Sequence, residues 1–141
     1  MTERPVLVDT GPIVAVMSAA DGSHARCVET LASLRPPLLT CWPVLTEAAW
    51  LLRRDPDAVG RLFAAFDAGL FALLPLGADA LPWIASFMRR YADSSIQLAD
   101  AALAYLAERE QIRTVFTLDR RDFSVIRLKR NRALKIIPDA P

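Results

Sequence analysis

The chain has 141 residues, 53% of them hydrophobic and 23% charged, with a formal net charge of +1. That length and apolar content suffice for one packed domain spanning residues 1–141 and exclude an intrinsically disordered chain. No apolar run reaches the roughly 18 residues of a membrane span, and Met1 to Pro5 leads into a short apolar strand without a signal-peptide core, so no membrane association is expected.

Val6-Leu7-Val8 is apolar and β-branched and ends in Asp9-Thr10-Gly11-Pro12. It reads as a buried parallel strand that turns into a short helix over 13–20, with Pro12 near the first helical position. Asp21-Gly22-Ser23 is a turn, and Ser23 can cap a second helix reaching Leu34, where Pro36-Pro37 breaks it. Leu38 to Cys41 is a second strand. Pro43 opens an amphipathic helix to about Arg53, and Asp55-Pro56-Asp57 starts another that ends near Gly69. Leu70 to Leu74 is a third strand, and residues 79–91 are helical with Pro82 in the first turn. Asp93-Ser94-Ser95 is read as the cap of a long helix, Ile96 to Glu110. Thr114 to Leu118 is the fourth strand and Leu134 to Ile137 a weak fifth. Strands alternating with helices predict an α/β fold: a parallel sheet of four to five strands covered by helices on both faces.

Asp9 and Asp119 follow apolar strands directly. In open α/β sheets the carboxyl ends of the strands form the ligand-binding edge, although an acid there also serves simply as a turn former or helix cap. Glu47 and Asp100 sit inside predicted helices. Val44, Ala48 and Leu51 flank the first, and Ile96, Ala99, Leu103 and Ala107 flank the second. Helical periodicity puts both carboxylates on or beside an apolar stripe. An ionised carboxylate buried alone is costly, so such a group must be paired, protonated or bound to a cation. The sequence around Asp100 offers no basic partner, which favours a functional reading.

Gathered in one cleft, four carboxylates would repel one another strongly, and a divalent cation resolves the repulsion. With oxygen ligands alone and a single histidine, Mg²⁺ is favoured, Mn²⁺ can substitute, and a His-rich zinc site cannot be built. His24 reads as a structural loop residue. Carboxylates with Mg²⁺ suit phosphoryl transfer to water. Charge adds a weaker signal: residues 113–141 carry eight Lys or Arg against three acids, while residues 1–112 carry nine against thirteen. A basic C-terminal segment suits a nucleic-acid partner and equally a solubilising surface. Cys27 and Cys41 fit neither a CxxC motif nor a disulfide framework, and read as reduced apolar fillers of a cytoplasmic protein.

These residues fall in a recognisable order. Val8-Asp9-Thr10-Gly11-Pro12, Asp21 to His24, Leu45-Thr46-Glu47-Ala48, Tyr91-Ala92-Asp93, Leu98-Ala99-Asp100-Ala101 and Thr117-Leu118-Asp119-Arg120-Arg121-Asp122-Phe123 follow one another over nearly the whole chain. In this the chain resembles PIN-domain ribonucleases, specifically the VapC-type toxins of toxin–antitoxin pairs. The resemblance implies a three-layer α/β/α fold and Mg²⁺-dependent cleavage of RNA. Asp9 and Asp100 match the family's principal metal ligands, and Glu47 and Asp119 match the rest of its acidic quartet. Thr10 and Thr117 match small hydroxyl positions that orient the acids. Asp93 and Asp122 are further acids in matching segments, and either can instead be a cap. A small antitoxin partner is implied, as is a homodimer or a larger assembly with the antitoxin. Trp42, Trp50, Leu51 and Leu52, with the run Leu62 to Phe66, are apolar enough to cover a partner helix, or to be core.

Three rivals stand beside this reading. A phosphatase or phosphoacceptor domain shares the strand ending in Asp9, yet Gly11 stands where a phosphatase wants a second Asp, and no convincing receiver lysine follows. A non-catalytic RNA-binding module would act through the basic segment Arg127, Lys129, Arg130, Arg132 and Lys135. An RNA-processing or DNA nuclease of the same fold would keep the chemistry and change the role. In the preferred reading the candidate RNA contacts are Arg120, Arg121, Arg130 and Arg132.

Overall fold

The computed structural model of the chain describes residues 4–141. Met1 to Glu3, in the stretch read as lacking a signal-peptide core, lie outside the described residues. Five short strands form one parallel sheet: β1 (Val6–Val8), β2 (Leu38–Thr40), β3 (Phe71–Leu73), β4 (Thr114–Phe116) and β7 (Lys135–Ile137), in the order β3-β2-β1-β4-β7. The weak fifth strand of the sequence is therefore real and forms an edge.

β1 is central, pairing with β2 on one side and with β4 on the other, Val8 opposite Phe116. Val6, Leu7 and Val8 are all buried, as expected of a strand covered on both faces. From β1 the chain steps outward through β2 to β3, then crosses back to β4. Right-handed crossovers put the helices of the two halves on opposite faces. The direction reverses between β1 and β4, so the crevice for a ligand opens at their carboxyl ends.

The first half carries α1 (Thr10–Met17), α2 (His24–Ala32), α3 (Trp42–Leu51) and α4 (Pro56–Asp67). The second carries α5 (Leu81–Arg90) and α6 (Leu98–Glu110). α6 is nearly all core: Ala99, Ala101, Ala102, Leu103, Ala104, Leu106 and Ala107 are buried. Its alanines let it lie close against its neighbours, and Gln111 ends it in a left-handed conformation.

Several boundaries differ from the sequence reading. α1 begins directly after Asp9, so Pro12 is its third residue, and α2 ends at Ala32. α6 begins at Leu98 rather than Ile96, because Asp100 reaches back to accept a hydrogen bond from the Gln97 N–H (2.9 Å), making Gln97 the cap. Asp93 therefore caps nothing in α6. Two elements were not foreseen: the short helix α7 (Arg120–Val125), and an antiparallel hairpin of β5 (Arg127–Leu128) and β6 (Arg132–Ala133). His24 opens α2, and its Nδ1 bonds the Ala15 carbonyl (2.7 Å), in keeping with a structural role. Among the described residues, no helix is long and apolar enough to cross a membrane.

Candidate active site

Asp9 stands where β1 hands over to α1. Its N–H donates to the Phe116 carbonyl (2.9 Å), which extends the β1–β4 pairing by one residue past Val8. It occupies the N-cap position of α1, yet its carboxylate makes no cap hydrogen bond. The carboxylate instead accepts from the Thr117 hydroxyl at 2.8 Å. The same Thr117 oxygen accepts from the Asp119 N–H at 3.0 Å, so one hydroxyl ties together the ends of two neighbouring strands.

Asp119 caps α7, accepting from the Asp122 N–H at 3.0 Å. The turn-former reading thus holds for Asp119 and fails for Asp9. Asp122 is buried within α7, and its Oδ2 accepts from the Ser95 hydroxyl at 2.6 Å. That bond fastens the loop before α6 to α7. Asp100, in the first turn of α6, and Glu47, in the middle of α3, are half-buried; α3 and α6 pack against each other.

The result is one cleft of about 550 Å³, lined by Asp9, Glu47, Asp100, Asp119 and Asp122, with the Thr10 hydroxyl residue among them. The structure thus brings together all four acids of the quartet and, of the two further acids, Asp122. Leu51, Ser95 and Gln97 also line it; neither Ser95 nor Gln97 is a site candidate from the sequence. The only local signal for α7 was an acid three residues after Asp119; the Ser95–Asp122 bond spans 27 residues and leaves no trace in local sequence. Asp93 is exposed and does not line the cleft.

The acids act on one another. Burial raises Asp9 from 3.8 to about 6; the Thr117 hydroxyl and the nearby Thr10 backbone N–H oppose this, and the Glu47 and Asp119 charges add to it. Burial likewise raises Asp100 to about 7, opposed by the Gln97 N–H and reinforced by Asp9, Asp119 and Asp122. Asp119 is raised too, by partial desolvation first and by the Asp122 charge, while Arg121 pulls it down. A cation in the cleft would relieve every one of these repulsions.

The donor set is oxygen throughout: carboxylates and hydroxyls, with no His or Cys lining the cleft. The Thr10 Oγ1 is buried with no hydrogen-bond partner among the described residues, a polar atom left over at the edge of the acid cluster. Among the described residues, no three His, Cys, Asp or Glu side chains are arranged to hold a metal ion as they stand. The acids ring the cleft rather than close on one point. In type and charge they fit a hard divalent cation with several retained waters.

The arginines divide. Arg121 is exposed beside Asp119. Arg120 turns away, donating to the Pro138 carbonyl (2.8 Å) and more weakly to that of Ile136 (3.4 Å), and so pins the segment after β7. Arg130 and Arg132 do not line the cleft; they lie on a separate basic surface at the hairpin.

No protein-family model matches the chain. It is 33% identical over 124 residues to Ribonuclease VapC26 of Mycobacterium tuberculosis, covering 86% of this chain and 92% of that protein. The fold is similar to the crystal structure of M. tuberculosis VapC20, described as a sarcin–ricin loop cleaving toxin. The TM-score is 0.73 at 22% identity, over 82% of this chain and 91% of that one.

Proposed function

The chain belongs to the VapC-type PIN-domain ribonucleases, and on that premise we propose that it is a Mg²⁺-dependent endoribonuclease, the toxin of a toxin–antitoxin pair. The observation that carries the reading is the single cleft in which Asp9, Glu47, Asp100 and Asp119 stand together, with Asp9 and Asp100 held above the ordinary carboxylate range by burial and by neighbouring acids.

Asp9 and Asp100 are the proposed ligands of Mg²⁺, and Mn²⁺ would suit the same oxygens. The chemistry the cation supplies when bound is to offset charge on the scissile phosphate and to make water a better nucleophile at neutral pH. Thr117 aims the Asp9 carboxylate, and the Gln97 N–H aims that of Asp100. Glu47 and Asp119 complete the acidic wall and orient water against the phosphate. Asp122, held by Ser95, fixes the start of α7 and with it Asp119. No side chain needs to form a covalent bond to phosphorus.

Large apolar side chains are exposed on α3 and α4, one of them at the cleft. Trp42, Trp50, Leu51 and Phe63 are each more than half exposed, and Leu51 also lines the cleft. Exposed apolar side chains of this kind suit a partner's apolar segment, and at Leu51 such a segment would reach the mouth of the site. We assign that role to the antitoxin, and to the same surface the expected assembly with it. Cys27 and Cys41 are buried free thiols, in keeping with a cytoplasmic protein.

The test is to incubate the purified chain with total RNA in Mg²⁺, in EDTA, and in EDTA followed by excess Mg²⁺. Discrete fragments that vanish with EDTA and return with Mg²⁺ are expected. Binding of RNA without cleavage in any of the three would instead favour a non-catalytic RNA-binding module.

A further inference from the structure

The basic surface at the hairpin lies away from the acids. A groove of about 390 Å³ runs between α5, the end of α6 and the β5–β6 hairpin, with Arg90, Arg127, Lys129 and Arg130 on its walls. It continues past Glu108 to Arg113 and Arg132. Six cations therefore face a single acid. That acid is already engaged, since Glu108 accepts from the Lys129 N–H (2.6 Å) and pairs with Arg132 (3.7 Å). Arg127 spends its guanidinium on the carbonyls of Ser124 and Ile126, which leave its charge uncancelled. The side chains of Arg113, Lys129 and Arg130 make no hydrogen bond or ion pair among the described residues.

Two details argue that this surface is more than solubilising charge. Arg130 has φ 63°, a left-handed conformation that suits glycine and costs other residues on the order of 1 kcal/mol. The hairpin nevertheless places a long cation at that strained position, and the side chain stands exposed. Trp83 borders the groove, half-buried, stacked on Phe87 with ring centroids 5.1 Å apart. Uncancelled cations beside a fixed aromatic ring match the chemistry of RNA with unpaired bases.

We propose that this groove docks the phosphate backbone of the RNA at a point outside the cleft. The proposal rests on the RNA-cleaving reading above. Asp100 and Glu108 lie eight residues apart on α6, which is roughly 12 Å along the helix axis. A substrate filling both sites is therefore an extended or folded RNA rather than a dinucleotide. The groove would then select for substrate length and shape, while the acids supply the cut.

The test is fluorescence anisotropy with a labelled stem-loop RNA of about 30 nucleotides, in EDTA so that nothing is cleaved. The variant combines Lys129→Gln with Arg130→Gly. Glycine adopts the left-handed conformation without strain, so the hairpin should fold at least as well as in the parent. Binding should weaken about five-fold or more at low salt. The slope of log affinity against log salt should fall by roughly 1.5, since each neutralised phosphate contributes about 0.7 to 0.9. Unchanged affinity and slope would overturn the proposal, as would a loss independent of salt. Tighter binding of polyglutamate than of RNA by the parent chain would overturn it in favour of an acidic protein partner. A parent chain that cuts total RNA alongside a variant with unchanged binding removes the groove alone. A parent that never cuts, beside a variant with the predicted loss, removes the nuclease reading and keeps the groove.

Discussion

The Thr117 hydroxyl donates to Asp9 Oδ2 at 2.8 Å and accepts from the Asp119 N–H at 3.0 Å, so one side chain sets the positions of two acids on adjacent strand ends. Thr117 is itself buried, and its N–H is taken by the Ile137 carbonyl (3.0 Å), which leaves the side chain little freedom to wander.

Thr117→Val keeps the shape and deletes the hydroxyl. It leaves the Asp119 N–H and one Asp9 oxygen without a partner, at a cost of about 1–3 kcal/mol. Loss of an orienting group of this kind lowers metal affinity or activity about 10- to 100-fold. Thr117→Ser should recover most of both. Denaturant unfolding and RNA cleavage rates, measured on the two variants together, check this.

The raised carboxyls make the metal-free chain sensitive to pH. Asp9 at about 6 and Asp100 at about 7 hold their protons in the folded chain at pH values where the unfolded chain, near 3.8, has lost them. Their contribution to stability is therefore complete below the unfolded value and is lost as pH rises through about 6 to 7. Asp100→Asn is uncharged at every pH and can still accept from the Gln97 N–H. In EDTA it should melt above the parent at about pH 8 and level with it at about pH 4, and excess Mg²⁺ should close the gap. Parallel melting curves across that range would count against a shared acidic cleft.

Ser95→Ala removes the donor to Asp122 Oδ2, a bond of 2.6 Å to a buried carboxylate. The cost should be about 1.5–3 kcal/mol, as for hydrogen bonds to charged groups. Hydrogen exchange should report the loosening at α7 rather than at the distant β3.

Arg120 and Arg121 should separate cleanly. Arg120→Ala frees the carbonyls of Ile136 and Pro138 and should destabilise the chain by about 1–3 kcal/mol. Arg121→Ala removes an exposed side chain whose one effect on the site is its charge beside Asp119, and should stay within about 0.5 kcal/mol of the parent, while weakening RNA binding more at low salt than at high salt. Thermal melts and anisotropy titrations of both variants distinguish the two roles.

The central strands were readable because Val6-Leu7-Val8 and Thr114-Val115-Phe116 are apolar runs closed by turn chemistry, and the acids that follow them mark the sheet edge. Glu47 and Asp100 were readable because each interrupts an apolar helical stripe. The start of α6 was misplaced because Asp93-Ser94-Ser95 offers local caps as good as Gln97; the choice is made by Asp100 folding back on the Gln97 N–H, which is geometry rather than composition. α7 was missed because its six residues are too few and too polar to show a period, and the hairpin because its two-residue strands lie among cations. The division of labour among Arg120, Arg121, Arg130 and Arg132 depends on where the chain ends pack, and no local pattern encodes that.

The most direct test of the four-acid site is the rate at which Asp100→Asn cuts total RNA in Mg²⁺, beside the parent chain, with both shown to be folded by circular dichroism. A group that only orients a ligand is worth about 10- to 100-fold, so losing a proposed ligand should cost at least about 100-fold. A folded Asp100→Asn that cuts at close to the parent rate would contradict the assignment.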